Sequence, residues 1–143
     1  MIIIGYPGVG KSTLSNNRSN VIDFDSSLYL KQGYWEDLYV QKAMELSDKG
    51  NIVCVSSHKM VQELLKSYRG KVVVVYPSLA LHDFWINKLR ERYEVSKDAG
   101  DYRALQRCVS HYCEDILGLR ELPFRKVEIS SKSYDLEELL KNA

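Results

Sequence analysis

The sequence is sparing in the features that settle a structure by themselves. Of its 143 residues only three are cysteine, Cys54, Cys108 and Cys113. An odd number with no C-x-x-C pair argues against a disulfide framework and fits a reducing compartment. Cys108, His111 and Cys113 lie close in sequence, but helical offsets of three and five residues splay them over different faces, and their spacing matches no usual structural zinc site. No long apolar run is present either. The opening stretch Met1 to Ile4 is broken by Gly5 and Pro7, far short of a membrane span of about 20 residues. On this reading the protein is expected in the cytoplasm, with no membrane partner.

An excess of one charge is also lacking. Twenty Lys and Arg against nineteen Asp and Glu leave a net charge of +1, so no global field draws the chain to duplex nucleic acid or an anionic membrane. An anion site, if there is one, is local. Glycine and proline are few and fall singly between periodic segments, where they mark turns. With 45% hydrophobic and 27% charged residues, the composition is that of a folded globule, and the length suits one domain, residues 1–143.

What is present is an alternation. Short apolar runs rich in β-branched residues recur at Met1–Ile4, Val21–Asp23, Ile52–Val55, Val72–Tyr76 and Val127–Ile129, each of strand length. Between them lie stripes with helical spacing: Val61, Leu64, Leu65 and Tyr68; Leu81, Trp85, Leu89 and Tyr93; Tyr102, Leu105, Val109, Tyr112 and Ile116; and Leu136, Leu139 and Leu140. A further helix is expected over Trp35 to Ser47. Strands alternating with helices predict an α/β fold, a mostly parallel sheet covered on both faces. The four valines before Tyr76 suit a central strand.

Directly after the first strand stands Gly5-Tyr6-Pro7-Gly8-Val9-Gly10-Lys11-Ser12, which matches G-x-x-x-x-G-K-[ST] at every fixed position. Such a string arises by chance in well under about 1% of chains this long. The glycines let the backbone curl so that successive N–H groups face phosphate oxygens, with a helix N-terminus opening behind them at Ser12 and Thr13. In that chemistry Lys11 reaches the β- and γ-phosphates of ATP and Ser12 ligates Mg²⁺.

Two carboxylates follow the second strand. Asp23 and Asp25 alternate, so both project from its carboxyl end, where sheets of this type bind ligands. One can orient Mg²⁺ and the other accept a proton from an attacking hydroxyl; turn capping is the plainer role for either. Farther on, Lys88 and Arg92, and then Arg103 and Arg107, stand four apart on successive expected helices. The polar stretch Glu94 to Asp101 between them is expected to be a mobile loop, and arginines flanking a closing loop supply charge to a transferred phosphoryl group.

On these residues the chain resembles the nucleoside monophosphate kinase-like branch of P-loop kinases, with adenylate, shikimate, gluconate and polynucleotide kinases among its members. Asp23-Phe24-Asp25 resembles the D-x-D of shikimate and gluconate kinases. Lys88-Leu89-Arg90-Glu91-Arg92 resembles the R-L-x-x-R at the lid entry, with Lys88 in place of the first arginine. Asp98 and Arg107 stand at the spacing of the lid exit, Tyr112 falls in a familiar place, and Cys108 replaces the usual leucine. Ile129-Ser130-Ser131-Lys132-Ser133 resembles the loop along the adenine.

The resemblance implies a three-layer α/β/α P-loop NTPase fold with a five-stranded parallel sheet in the order 2-3-1-4-5. It implies an acceptor-binding region over about residues 24–70 and a lid over about 90–104. Gly5, Pro7, Gly8, Val9, Gly10, Lys11, Ser12, Thr13, Ser130 and Ser131 are then the candidate ATP-binding residues, and Ser12 and Asp23 the Mg²⁺ ligands. Lys11, Asp25, Arg92 and Arg107 are the candidate catalytic residues. Asp23, Asp25, Tyr34, Trp35 and Ser57 are the candidate acceptor contacts.

One departure is informative. Adenylate kinase relatives grip the acceptor phosphate with arginines between the second and third strands, yet from Ser19 to Tyr68 this chain has none. Only Lys31, Lys42, Lys49, Lys59 and Lys66 are there. A bidentate clamp for an acceptor phosphate is missing, while a base for a hydroxyl is present. The third strand runs into Ser56, Ser57 and His58 without an Asp, and Tyr29, Tyr34, Trp35 and Tyr39 bring aromatic surface that can stack on a base. The expectation is an ATP- and Mg²⁺-dependent kinase of a nucleoside or nucleotide, monomeric or homodimeric. A kinase of a sugar acid or polyol, and a non-catalytic ATP sensor or ATPase module, are the alternatives.

Overall fold

A computed structural model describes residues 1–29 and 33–142, with the backbone alone at Leu28. Lys31 lies outside the described residues. Five strands, β1 (Ile2–Gly5), β2 (Val21–Asp23), β3 (Ile52–Val55), β4 (Val72–Pro77) and β5 (Arg125–Ile129), form one parallel sheet in the order β2-β3-β1-β4-β5. Ile3 pairs with Cys54 on one side and Val73 on the other. The helices are α1 (Lys11–Asn17), α2 (Trp35–Asp48), α3 (Lys59–Leu65), α4 (His82–Ser96), α5 (Ala99–Arg120) and α6 (Leu136–Lys141). Helices lie on both sides of the sheet.

Patterning explains the order. Every residue of β1 and β4 is buried, as expected of central strands covered on both faces. The edge strand β5 instead alternates, with Val127 and Ile129 inward and Lys126 and Glu128 exposed. Ile2, Ile3, Ile4, Val53 and Val72 to Val75 form the middle of the core. Burial of such side chains contributes about 1.5 to 3 kcal/mol each.

Two local expectations are corrected. The stretch from Glu94 to Asp101 is no loop: α4 runs to Ser96 and α5 starts at Ala99, so only Lys97 and Asp98 join them. Polarity there reflects exposed helix ends rather than irregular backbone. Asp98 caps α5 by accepting from the Gly100 and Asp101 amides at 2.6 and 3.2 Å, and the Ser96 hydroxyl donates to Asp101 at 2.5 Å. The buried stripe of α5 is also displaced. It runs through Cys108, Tyr112, Ile116 and Leu119, while Val109 is exposed.

The shift accompanies an interruption at His111, whose φ of −132° and ψ of 19° leave the helical region. His82 Nε2 donates to the Cys108 carbonyl at 2.7 Å, and the His82 ring stacks on Tyr112 at 4.2 Å between centroids. Tyr112 in turn donates to the Ser78 carbonyl at 2.7 Å, tying α5 to the end of β4.

Candidate functional site

The glycine-rich loop joins the central strand β1 to α1. At Gly5 a side chain has no room, since an added Cβ would stand 2.9 Å from Lys11 Cδ. Gly8 has φ of 89°, and a Cβ there would meet both Leu89 and Trp85 at 3.0 Å. Gly10 is the N-cap of α1 at φ 111°, and no side chain caps the helix. The first-turn amides of Lys11, Ser12 and Thr13 therefore lack both an intrahelical acceptor and a cap.

The loop carbonyls, in contrast, are engaged by side chains from distant elements. Trp85 Nε1 donates to the Pro7 carbonyl at 2.8 Å, and the Tyr134 hydroxyl donates to that of Val9 at 2.8 Å. Lys11 Nζ turns back to the Gly5 carbonyl at 3.0 Å. The Val9 amide donates to the Tyr6 carbonyl at 3.3 Å. The amides of Gly8 and Gly10, like those of the first turn of α1, have no backbone acceptor among the described residues and suit an anion. Lys88 reinforces this clamp. Its ammonium donates to the Tyr134 hydroxyl at 3.0 Å and lies 4.4 Å from the Trp85 ring and 5.1 Å from the Tyr134 ring.

Charges converge around Lys11. Burial pushes its pKa down; Asp23, and more weakly Asp25, pull it back up, and Arg92 adds to the depression. Of the two carboxylates, Asp25 is held: it accepts from the Ser27 amide at 2.9 Å and the Ser27 hydroxyl at 2.7 Å, capping the 3-10 turn Ser26–Leu28. Asp23 is exposed at the tip of β2. A Ser12 hydroxyl and a free carboxylate are hard oxygen donors of the kind Mg²⁺ takes. Among the described residues no group of three or more His, Cys, Asp and Glu forms a metal cluster.

Two residues outside the candidate set join this edge. Loss of surrounding water lowers the pKa of His58, although part of its ring stays exposed; Lys11 and Arg103 lower it further and Glu36 opposes them. The Arg103 charge thus bears on His58. Arg107, four residues on, is engaged elsewhere, with both Nε and Nη2 at 2.8 Å from Asp115. Arg92 contacts Asp101 at 3.1 Å while remaining half exposed. Helical spacing alone does not distinguish Arg103 from Arg107; the distinction comes from Asp115 across the break in α5.

The aromatic residues divide. Tyr39 is fully buried, and its hydroxyl donates to the Phe24 carbonyl at 2.5 Å and accepts from the Ser56 amide at 3.2 Å, which fixes the tips of β2 and β3 to each other. Trp35 is half-buried and meets the His58 ring edge-on at 5.2 Å. Tyr34 is 85% exposed with a φ of 58°. Ser57 is half-buried and uses its carbonyl to accept from Gln62.

Beside the loop, Gly10, Thr13, Lys88, Lys132 and Tyr134 line a cleft of about 630 Å³. Ser130 and Ser131 are exposed just ahead of it, and the cleft wall is built by the next residues along the chain. No local sequence pattern marks Tyr134 or the second role of Lys88. No protein-family model matches the chain, and no curated protein matches its sequence.

Proposed function

We propose that the protein is a P-loop kinase that transfers the γ-phosphoryl group of ATP to a nucleoside or nucleotide, with Mg²⁺ as cofactor. The observation that carries this reading is the loop itself: a complete G-x-x-x-x-G-K-S string after a central parallel strand, its Pro7 and Val9 carbonyls held by Trp85 and Tyr134 and its helix left uncapped. The sheet order and the carboxylates at the end of β2 support it.

In this reading the amides of the loop and α1 hold the phosphates, and Lys11 leaves the Gly5 carbonyl to neutralise developing charge. Ser12 and Asp23 would hold Mg²⁺, which supplies further neutralisation of the phosphate oxygens. Asp25, oriented by Ser27, accepts the proton of the acceptor hydroxyl. The cleft lined by Lys88, Lys132 and Tyr134 takes the base and sugar. Arg92 and Arg103 bring positive charge from the α4–α5 hairpin, and Arg107 acts in holding α5 through Asp115.

Asp25→Asn keeps the shape and removes the base. It is expected to lower kcat about 100-fold or more with nucleotide affinity unchanged, read from product formation with a panel of acceptors. Wild-type turnover in this variant removes Asp25 from the reaction. Arg103→Gln is expected to cost about 100-fold in kcat, and Arg107→Gln under about 1 kcal/mol of stability with a far smaller rate effect. Equal rate losses in the two variants would overturn the assignment of Arg103.

A further inference from the structure

The acceptor side of the sheet edge carries charge of the wrong sign for a phosphate. Asp23 and Asp25 are exposed at and just beyond the tip of β2, and Glu36 stands in the first turn of α2 next to Trp35, whose ring meets His58. No arginine occurs between residues 19 and 68. Among the described lysines of that stretch, Lys42 pairs with Glu45 and Lys66 with Glu63. Lys49 closes the far end of α2. Lys59, exposed in the first turn of α3, is the remaining one. Lys11 and Arg103, whose charges bear on His58, serve the ATP phosphates in the kinase reading.

From this arrangement, and resting on that reading, we infer that the acceptor is an uncharged compound with neighbouring hydroxyl groups, and that phosphorylated acceptors are rejected by charge. Ionised carboxylates only accept hydrogen bonds, so Asp25 and Glu36 complement hydroxyl donors and repel an acceptor phosphate, with Asp23 left to Mg²⁺. Trp35 adds an apolar ring at the same rim, set edge-on to His58. The ribose of a nucleoside and a free sugar or polyol share this chemistry.

The transfer balances without another reactant. The acceptor oxygen bonds to the γ-phosphorus, and the bond to the β,γ-bridging oxygen breaks with its electron pair left on ADP. The hydroxyl proton passes to Asp25. The products are a phosphate monoester and ADP.

The test uses the full chain with Mg²⁺ and ATP against three sets of acceptors: nucleosides, their 5′-monophosphates, and free sugars and polyols. Products are read by mass spectrometry, and ATP binding is measured separately by calorimetry. The expected result is a monoester from the nucleoside or the polyol set, with KM for a monophosphate at least about 100-fold above that for its nucleoside. Glu36→Arg is expected to narrow that ratio about tenfold. Efficient conversion of a monophosphate to a diphosphate overturns the inference and leaves the kinase reading standing. Intact ATP binding with no product from any uncharged acceptor overturns it as well, whereas absence of ATP binding removes the kinase reading itself.

Discussion

Replacing Lys11 with methionine is expected to lower kcat/KM for phosphoryl transfer by about 1,000-fold and to leave the fold intact. The two effects separate because the ammonium contributes little to folding. Burial pushes its pKa down from the ordinary 10.5, so the charged form is disfavoured in the folded state. Below the lowered pKa this group therefore opposes stability, and the opposition fades as the pH rises through the lowered value toward 10.5. One contact is lost, the hydrogen bond to the Gly5 carbonyl. Turnover read from ADP release and a melting curve at pH 7 check both halves, and wild-type turnover in this variant refutes the kinase reading.

Trp85→Ala is expected to destabilise the protein most. The side chain is fully buried, and removing a buried tryptophan costs about 3 to 5 kcal/mol, which for a domain of this size lowers Tm by roughly 10 to 20 °C. The indole also holds the Pro7 carbonyl and packs beside Gly8. Trp85→Phe isolates that second role: it retains an aromatic ring and leaves the carbonyl without its donor, at about 1 to 3 kcal/mol. If the clamp organises the loop, Trp85→Phe weakens ATP binding beyond what its change in Tm predicts. Wild-type affinity in this variant would show that the loop keeps its shape unaided.

These substitutions mark where the sequence is and is not legible. Strand positions follow from β-branched runs, because burial on both faces leaves a continuous apolar signature at Ile2 to Ile4 and Val72 to Val75. The order β2-β3-β1-β4-β5 is implied only by the family resemblance and not by the runs. The glycine-rich loop is legible because its chemistry is compressed into eight consecutive residues. The α4–α5 joint is not, since polar residues at Glu94 and Lys97 suit a loop and an exposed helix end equally. The Asp98 cap, once located, resolves the ambiguity. Nor does spacing separate Arg103 from Arg107, which are four apart on one helix; only the break at His111 and the pairing with Asp115 do so. Glu36 and His58 are brought to the same edge by α2 and β3, a juxtaposition that exists only in three dimensions.

The loop clamp bears on when the site comes into being. The motif is complete at Ser12, but Trp85 lies 78 residues beyond the carbonyl it holds and Tyr134 lies 125 residues beyond its own. Contacts this distant form late, because the intervening chain must be ordered before they close. A growing chain thus carries the anion-binding string long before it carries the anion-binding shape, and the loop matures only when α4 and the segment after β5 have docked.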